Sequence, residues 1–270
     1  MRTDARSWLF VPGDRPDRFD KALASGADAV ILDLEDGVAP AARPAARRNL
    51  AEWLPGRSRE VPVLVRLSHR AAPAGDLMAA TGADGIVVPK VESTIDLALY
   101  AGWETVVVIV ESAAGLLAAP ALAAHSTTTL LMIGEYDLCA DLGSDLGPAD
   151  IELDPLRLQV VVASAAAGLA PPIAAVDAEF RDPRRLEATT RHLGRLGFGS
   201  RAIIHPAQVE PVHAAFTPDP AAVASARALV ARFDEALAAG RGALVDDDGR
   251  MMDEATVRKA RRLIARAPDR

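Results

Sequence analysis

The chain has 270 residues, 37 acidic against 30 basic, for a formal charge of −7; half of it is apolar and a quarter is charged. Those proportions suit a globular chain with a substantial core and argue against a general nucleic-acid binder, whose footprint is a basic surface. The single cysteine, Cys139, makes no internal disulfide, and no Cys/His cluster suggests a zinc site.

In chain order, Met1 to Arg6 runs into a strand-like segment without the apolar core of a signal peptide. Short β-branched runs then alternate with longer amphipathic or alanine-rich segments. Strands are expected at Ser7–Val11, Ala29–Leu34, Val61–Leu67, Gly85–Pro89, Thr105–Glu111, Thr128–Gly134, Pro172–Asp177 and Ala202–His205. Helices are expected between them, among others at Pro16–Ser25, Ala41–Leu54, Thr94–Ala101 and Pro183–Leu196. The longest mildly apolar stretch, Val160 to Val176, contains Ser164 and Pro171-Pro172 and falls short of the ~20 residues a membrane span needs. A cytoplasmic location with no membrane partner is therefore expected.

Continuous apolar strands separated by helices imply a parallel sheet covered on both faces. Such units, repeated over about 250 residues, match a closed (β/α)8 TIM barrel. A doubly wound open sheet is the alternative. It lacks support, because Val11-Pro12-Gly13-Asp14 is a turn and not a dinucleotide fingerprint. The expected organisation is a catalytic barrel over 1–218 and a C-terminal helical extension over 219–270. Within the extension, Pro220–Gly240 and Glu254–Ala265 read as helices and Asp246-Asp247-Asp248-Gly249 as a solvated turn. This is more than barrel closure needs, and the expectation is a cover for a barrel mouth, its own or a neighbour's.

Chemistry in such a barrel sits at the C-terminal ends of the strands. Charged groups recur there: Asp33, Glu35 and Asp36, then Arg66, Lys90 and Glu92, Glu111, Glu135 and Asp137, Asp177 and His205. Several carboxylates on one mouth raise each other's pKa, and a hard divalent cation relieves that repulsion. Glu111, at the end of a five-residue apolar run, and Asp137, after Gly134-Glu135-Tyr136, are the favoured ligand pair. Each has a plainer reading, Glu111 as a cap of the next helix and Asp137 as an ordinary first-turn acid. Arg66 offers a planar charged fork for a carboxylate or an enolate oxygen, or a structural ion pair with a nearby acid. His205 reads as structural. His69, His125, His192 and His213 lack metal-site spacing, and the role of Asp177 stays open.

These residues sit in blocks that resemble a known family. The blocks are Arg6-Ser7-Trp8-Leu9-Phe10-Val11-Pro12-Gly13, Arg15-Pro16, Lys21-Ala22, and the run from Ala27 through Asp33-Leu34-Glu35-Asp36 to Val38. Further on come Pro89-Lys90-Val91-Glu92, Glu111-Ser112-Ala113-Ala114-Gly115, Gly134 through Gly143, Gly197-Phe198, Ile204-His205-Pro206-Ala207-Gln208 and Gly249-Arg250-Met251-Met252-Asp253. Almost end to end, the chain is similar to the citrate lyase β-subunit-like family of the HpcH/HpaI aldolase superfamily.

The resemblance implies a lyase with a TIM-barrel fold that depends on Mg²⁺, or Mn²⁺ in its place, and cleaves or forms a carbon–carbon bond beside a CoA thioester. It implies a homo-oligomer, with a homotrimer expected. By resemblance, Glu111 and Asp137 are metal ligands, Arg66 binds substrate, and Glu35 and Asp36 hold metal-bound waters. Gly134 and Glu135 fall at the substrate, and Phe10, Arg15 and Lys21 at CoA. Asp253 matches the tail acid that serves as acid and base at the acyl carbon; its plainer reading is an N-cap of the last helix, and that of Arg15 and Lys21 a solvated helix face. Two departures lie near the expected pocket: Leu67-Ser68 follow Arg66 where the family often has Val-Asn, and Tyr136 precedes Asp137 where it often has Glu.

The expected reaction is retro-Claisen cleavage of a 3-hydroxyacyl thioester such as malyl-CoA, citramalyl-CoA or citryl-CoA, giving an acyl-CoA and a 2-oxo acid. The rivals are a Schiff-base aldolase built on Lys90, a metal-dependent aldolase on free pyruvate or oxaloacetate-type substrates, and a chain that is no free-standing enzyme, either a lyase subunit working on an acyl-carrier-protein thioester or a scaffold that has lost activity.

Overall fold

The computed structural model describes residues 5–71, 74–145, 151–240, 244–245 and 251–267. The expected turn at 246–249 lies outside them. Two compact units emerge, Met1–Phe216 and Thr217–Arg270.

In the first unit, strands β1 (Ser7–Pro12), β2 (Ala29–Asp33), β3 (Val63–Arg66), β4 (Gly85–Val88), β5 (Val106–Val110), β6 (Leu130–Ile133), β7 (Ile173–Ala174) and β8 (Ser200–Ile203) run parallel and close into a barrel in sequence order. Closure comes from Ser7, Trp8 and Leu9 of β1 pairing with Arg201, Ala202 and Ile203 of β8. Around the strands lie α1 (Phe19–Leu23), α2 (Arg43–Trp53), α3 (Ala74–Ala79), α4 (Thr94–Leu97), α5 (Ala113–Ala124), α6 (Glu135–Leu142), α7 (Asp154–Ala166), α8 (Pro183–Leu196) and α9 (Val209–Phe216). The expected barrel is the observed one.

Strand alternation builds two cores. Trp8, Ile31, Leu64, Val87, Val107, Ile109, Leu130, Met132 and Ala202 form the inner cluster that fills the barrel. Their neighbours Leu9, Val30, Leu32, Val65, Val108 and Leu131 face the helices. A period of two on strands buried on both sides explains why the runs look uniformly apolar.

Several boundaries differ from expectation for local reasons. The helix expected over 16–25 splits into a 3₁₀ turn, Pro16–Arg18, and α1. Proline is tolerated there because the first N–H groups of a helix have no partner anyway. By contrast α8 has the expected bounds: Asp182 accepts from the Arg185 N–H at its start, and Gly197 at φ +118° ends it. The strand expected over 172–177 pairs only through Ile173 and Ala174. Beyond them, backbone acceptors go to side chains. The Ala175 carbonyl accepts from Arg201 Nε at 3.1 Å and that of Asp177 from Gln208 Nε2 at 2.8 Å.

In the second unit, α10 (Pro220–Ala238) and α11 (Glu254–Ala265) pack together, and β9 (Leu244–Val245) pairs antiparallel with β10 (Met251–Met252). Among the described residues no helix is long and apolar enough to cross a membrane.

Candidate active site

The inward row of the barrel continues into its C-terminal mouth. Phe10 follows Trp8 by two residues, Asp33 follows Ile31, Arg66 follows Leu64, Glu111 follows Ile109 and Gly134 follows Met132. All five line one cavity of about 440 Å³, together with Asp36, Glu135, Tyr136, Asp137 and Arg18. That volume suits a small-molecule site.

Arg66 is the best-anchored group. Its Nε and Nη2 each donate at 2.6 Å to the two oxygens of Asp33. Nη1 lies 2.8 Å from Glu35 Oε2 and 3.3 Å from Asp36 Oδ2. The guanidinium carbon stands 5.0 Å from the centre of the Phe10 ring. Burial works against the charge, but the acids prevail and hold Arg66 above its ordinary pKa. Asp33 is in turn fixed by N–H groups of Glu35 and Gly37 at 2.9 and 2.8 Å. The guanidinium is thus both a structural ion pair and a positioned cation.

The rest of the mouth is acidic. Glu111 is 4% exposed, and its Oε1 accepts from the Lys90 N–H at 2.7 Å. Burial first, then the facing charges of Glu35 and Asp137, push the Glu111 carboxyl up to about 8. Glu35 is raised too, chiefly by burial, and its Oε2 makes no hydrogen bond despite the charge of Arg66 nearby. Lys90 Nζ lies 2.9 Å from Glu35 Oε1 and 3.6 Å from Asp137 Oδ1. Gly134 admits this wall: a Cβ there would stand 2.6 Å from both Cβ and Oε2 of Glu111. The helix cap beside it is Ser112, whose side chain accepts from the Gly115 N–H, so Glu111 is released from capping.

Glu135 lines the cavity, but its carboxylate is buried and bidentate to Arg157 at 2.9 and 2.8 Å. What it leaves at the cavity is main chain. No side chain caps α6, so its first-turn N–H groups are available to an anion. Lys21 lines a second cavity of about 250 Å³ next to Phe10, His205 and Pro206. Arg15 lines neither; it pairs with Asp17 at 2.9 Å on the surface. Arg18, absent from the sequence-based candidates, lines both. In the second unit, Asp253 accepts from the N–H and hydroxyl of Thr256 at 2.9 and 3.0 Å and caps α11. Those bonds hold its carboxyl below the ordinary value.

The remaining polar residues have structural posts. His205 Nδ1 accepts from the Ala207 N–H, and its ring stacks on Phe180 at 4.7 Å. Asp177 pairs with Arg185 and Arg201 at 3.1 and 3.4 Å. Ser68 donates from N–H and Oγ to Asp76 at 2.8 and 2.6 Å. Tyr136 is half exposed, and its hydroxyl oxygen accepts from the Ala178 N–H at 3.3 Å.

A family model described as HpcH/HpaI aldolase/citrate lyase matches residues 6–206. A citrate lyase subunit beta-like protein of Mycobacterium tuberculosis is 35% identical over 275 residues, covering 99% of this chain and 97% of the relative. A (3S)-malyl-CoA thioesterase of Cereibacter sphaeroides is 33% identical over 274 residues, covering 97% and 94%. A crystal structure of the M. tuberculosis protein CitE, in complex with magnesium, acetoacetate and coenzyme A, superposes with a TM-score of 0.84 at 33% identity, covering 98% of this chain and 99% of that one.

Proposed function

The chain belongs to the HpcH/HpaI aldolase/citrate lyase family, and from that premise we propose that it is a Mg²⁺-dependent carbon–carbon lyase acting on a 3-hydroxyacyl-CoA thioester. The observation that carries the reading is the mouth itself: a positioned guanidinium faces buried carboxylates that the local cations do not fully balance.

The donor set fits a hard divalent cation. Among the described residues no His or Cys lines the main cavity, and its acidic side chains are hard carboxylate donors. Among the described residues no group of three or more His, Cys, Asp and Glu converges as a metal cage. Mg²⁺ needs only one or two protein carboxylates and leaves its other positions to water and substrate. Glu111 and Asp137 would hold it, with Mn²⁺ as a natural substitute, and Glu35 and Asp36 would receive its waters. When bound, the ion supplies a Lewis acid to the hydroxyl or ketone oxygen and the adjacent carboxylate of the substrate.

The chain's own residues do the rest. The first-turn N–H groups of α6, beginning at Glu135, hold the substrate carboxylate, and Gly134, whose own N–H goes to the Val110 carbonyl, leaves room for it. Arg66, kept flat by Asp33, faces the negative charge that develops on the thioester oxygen as the carbon–carbon bond breaks. A preorganised donor of this kind is worth about 3–4 kcal/mol in the transition state. In cleavage the hydroxyl proton passes to Glu35 or Asp36, and Asp253 in its protonated form gives a proton to the acyl carbon; condensation reverses both transfers. Phe10 and Lys21, with Arg15 at the surface, attend the CoA moiety. The unit 1–218 carries the catalytic barrel, the extension 219–270 supplies Asp253, and the working assembly is a homotrimer. Support for the ion and the thioester comes from the magnesium and coenzyme A bound by CitE and from the malyl-CoA named for the thioesterase.

The test is cleavage of malyl-CoA, citramalyl-CoA and citryl-CoA with Mg²⁺ and with EDTA, reading 2-oxo acid and free thiol separately. Chelator-sensitive release of 2-oxo acid from one of them supports the lyase. Free thiol with an intact hydroxy acid points instead to thioester hydrolysis. Asp253→Asn sharpens the assay, because Asn caps a helix about as well as Asp. The proposal expects α11 to keep its stability while turnover falls about a hundredfold or more; unchanged turnover leaves Asp253 a cap only.

A further inference from the structure

β4 delivers Lys90 to the mouth by an unusual route. Val87 belongs to the inner cluster, so an extended chain past Val88 would turn Lys90 outward to the helix layer. Instead Lys90 adopts φ +52°, the one non-glycine residue with positive φ among the described residues. L-residues avoid that region, and one is kept there where the surroundings over-determine it.

The surroundings do so through both the main chain and the side chain. The Lys90 N–H donates to Glu111 Oε1 at 2.7 Å, and its carbonyl accepts from Arg70 Nη1 at 3.0 Å. Its ammonium lies 2.9 Å from Glu35 Oε1, 3.6 Å from Asp137 Oδ1 and 3.9 Å from Asp36 Oδ1. One residue therefore touches both proposed metal ligands, Glu111 by its main chain and Asp137 by its charge.

We propose that the Lys90 ammonium is a built-in competitor of the divalent cation, balancing the acidic wall in the ion's absence and lowering the site's affinity for it. The inference rests on the magnesium reading above. A single positive charge within contact range of Asp137 and Glu35 repels a divalent ion brought to the same carboxylates. The same charge keeps the acids from repelling one another without the ion. The clamp also argues against Lys90 as a Schiff-base nucleophile. Burial lowers its pKa, but the bond to Glu35 and the neighbouring acids outweigh burial and keep the amine protonated.

The test uses Lys90→Met and Lys90→Gly in the full chain. Met keeps the bulk without the charge, and Gly accepts the positive φ without strain. Mg²⁺ binding is measured by calorimetry and Mn²⁺ binding by electron paramagnetic resonance, both without substrate. The expected result is binding about tenfold or more tighter in each variant, with a lower melting temperature of the metal-free chain. Equal or weaker binding in the variants, beside measurable binding by the wild type, overturns this inference and leaves the magnesium reading standing; Lys90 would then only position Glu35 and Asp137. Binding by the variants but not by the wild type supports it. No binding of either ion by any of the three chains overturns both readings.

Discussion

The two ends of the barrel treat charge in opposite ways. At the N-terminal end, Asp28 accepts from the Arg6 N–H and Nε at 2.7 and 3.1 Å and lies 3.2 Å from His213 Nε2. Burial alone would raise this carboxyl, but the bonds from His213 and Arg6 hold it well below the usual carboxylate range. At the C-terminal mouth, burial and two facing acids push Glu111 up to about 8. One end spends its cations on stability, and the other keeps a charge deficit that a ligand can fill. The trio Ser7, His213 and Asp28 is not a nucleophilic triad. Serine at 2.8 Å and acid both meet Nε2, whereas a triad acid orients the ring through the nitrogen that the serine does not use.

The comparison breaks most sharply at Glu111. Glu111→Gln keeps an oxygen for the Lys90 N–H and removes the buried charge. Turnover should fall about a thousandfold, in line with loss of a ligand to a catalytic ion. The metal-free variant should melt at the wild-type temperature near pH 5 and above it from about pH 8, where the wild-type mouth holds surplus negative charge. Steady-state kinetics and calorimetric melting check both halves. A variant that loses activity only because it unfolds would defeat the reading.

Gly134→Ala is the next largest. The added Cβ would meet Glu111 Cβ and Oε2 at 2.6 Å, so the carboxylate must move. Overpacking of this kind costs about 1–3 kcal/mol. Activity and Mg²⁺ affinity should each drop about a hundredfold, since a displacement near 1 Å in a positioned site has that effect. Wild-type Mg²⁺ affinity in the variant would show that Glu111 is not held against Gly134 for the ion.

The contrast between the ends was only partly legible in the sequence. Alternating apolar runs and helices were enough for the barrel, and α8 matched expectation because Asp182 and Gly197 punctuate it chemically. β7 is shorter than its apolar run because the carbonyls of Ala175 and Asp177 serve Arg201 and Gln208, contacts made by residues more than twenty positions away. At the mouth, Glu111, Asp137 and Arg66 stood out as charges at strand ends. That Asp33 is Arg66's bidentate partner did not, because it depends on the β2–β3 register that sets Asp33 beside Arg66. Inward parity was the usable signal: Phe10, Asp33, Arg66, Glu111 and Gly134 all extend the inner row. Parity misleads at Lys90, whose left-handed backbone re-aims it. For Glu135 the sequence held no sign that Arg157, on another helix, occupies its carboxylate.

The shifted Glu111 gives the comparison a pH dependence. Its folded value, about 8, lies above the ordinary 4.5. Between those limits the folded chain binds this proton more tightly than the unfolded chain, so its contribution to stability falls as pH rises through the window. Melting curves of wild type and Glu111→Gln should therefore diverge from pH 5 toward about 8, the wild type losing ground. Metal binding has the opposite slope. The ion needs the carboxylate, so Mg²⁺ affinity should rise up to about tenfold per pH unit below about 8, with one proton released. Calorimetry in two buffers of different ionisation enthalpy counts that proton. A count of zero at pH 6.5 would place the carboxyl at an ordinary value.

Asp28→Asn is the smallest effect and the control at the opposite end. Asn keeps the shape and loses the charge that His213 and Arg6 contact. The folded pKa of Asp28 lies below its unfolded one, so its contribution is present above the ordinary 3.8 and is lost as pH falls through that value and below. Asp28 is partly open to water, so screening trims the contribution to about 1 kcal/mol. For a unit of this size that is a melting-temperature drop of about 2–4 °C at pH 7. The gap between variant and wild type should close below pH 4, and kcat/KM and Mg²⁺ affinity should stay at wild-type levels throughout. A loss of Mg²⁺ affinity in this variant would mean that the two ends are coupled through the barrel, and the separation of stabilising from functional charge would fail.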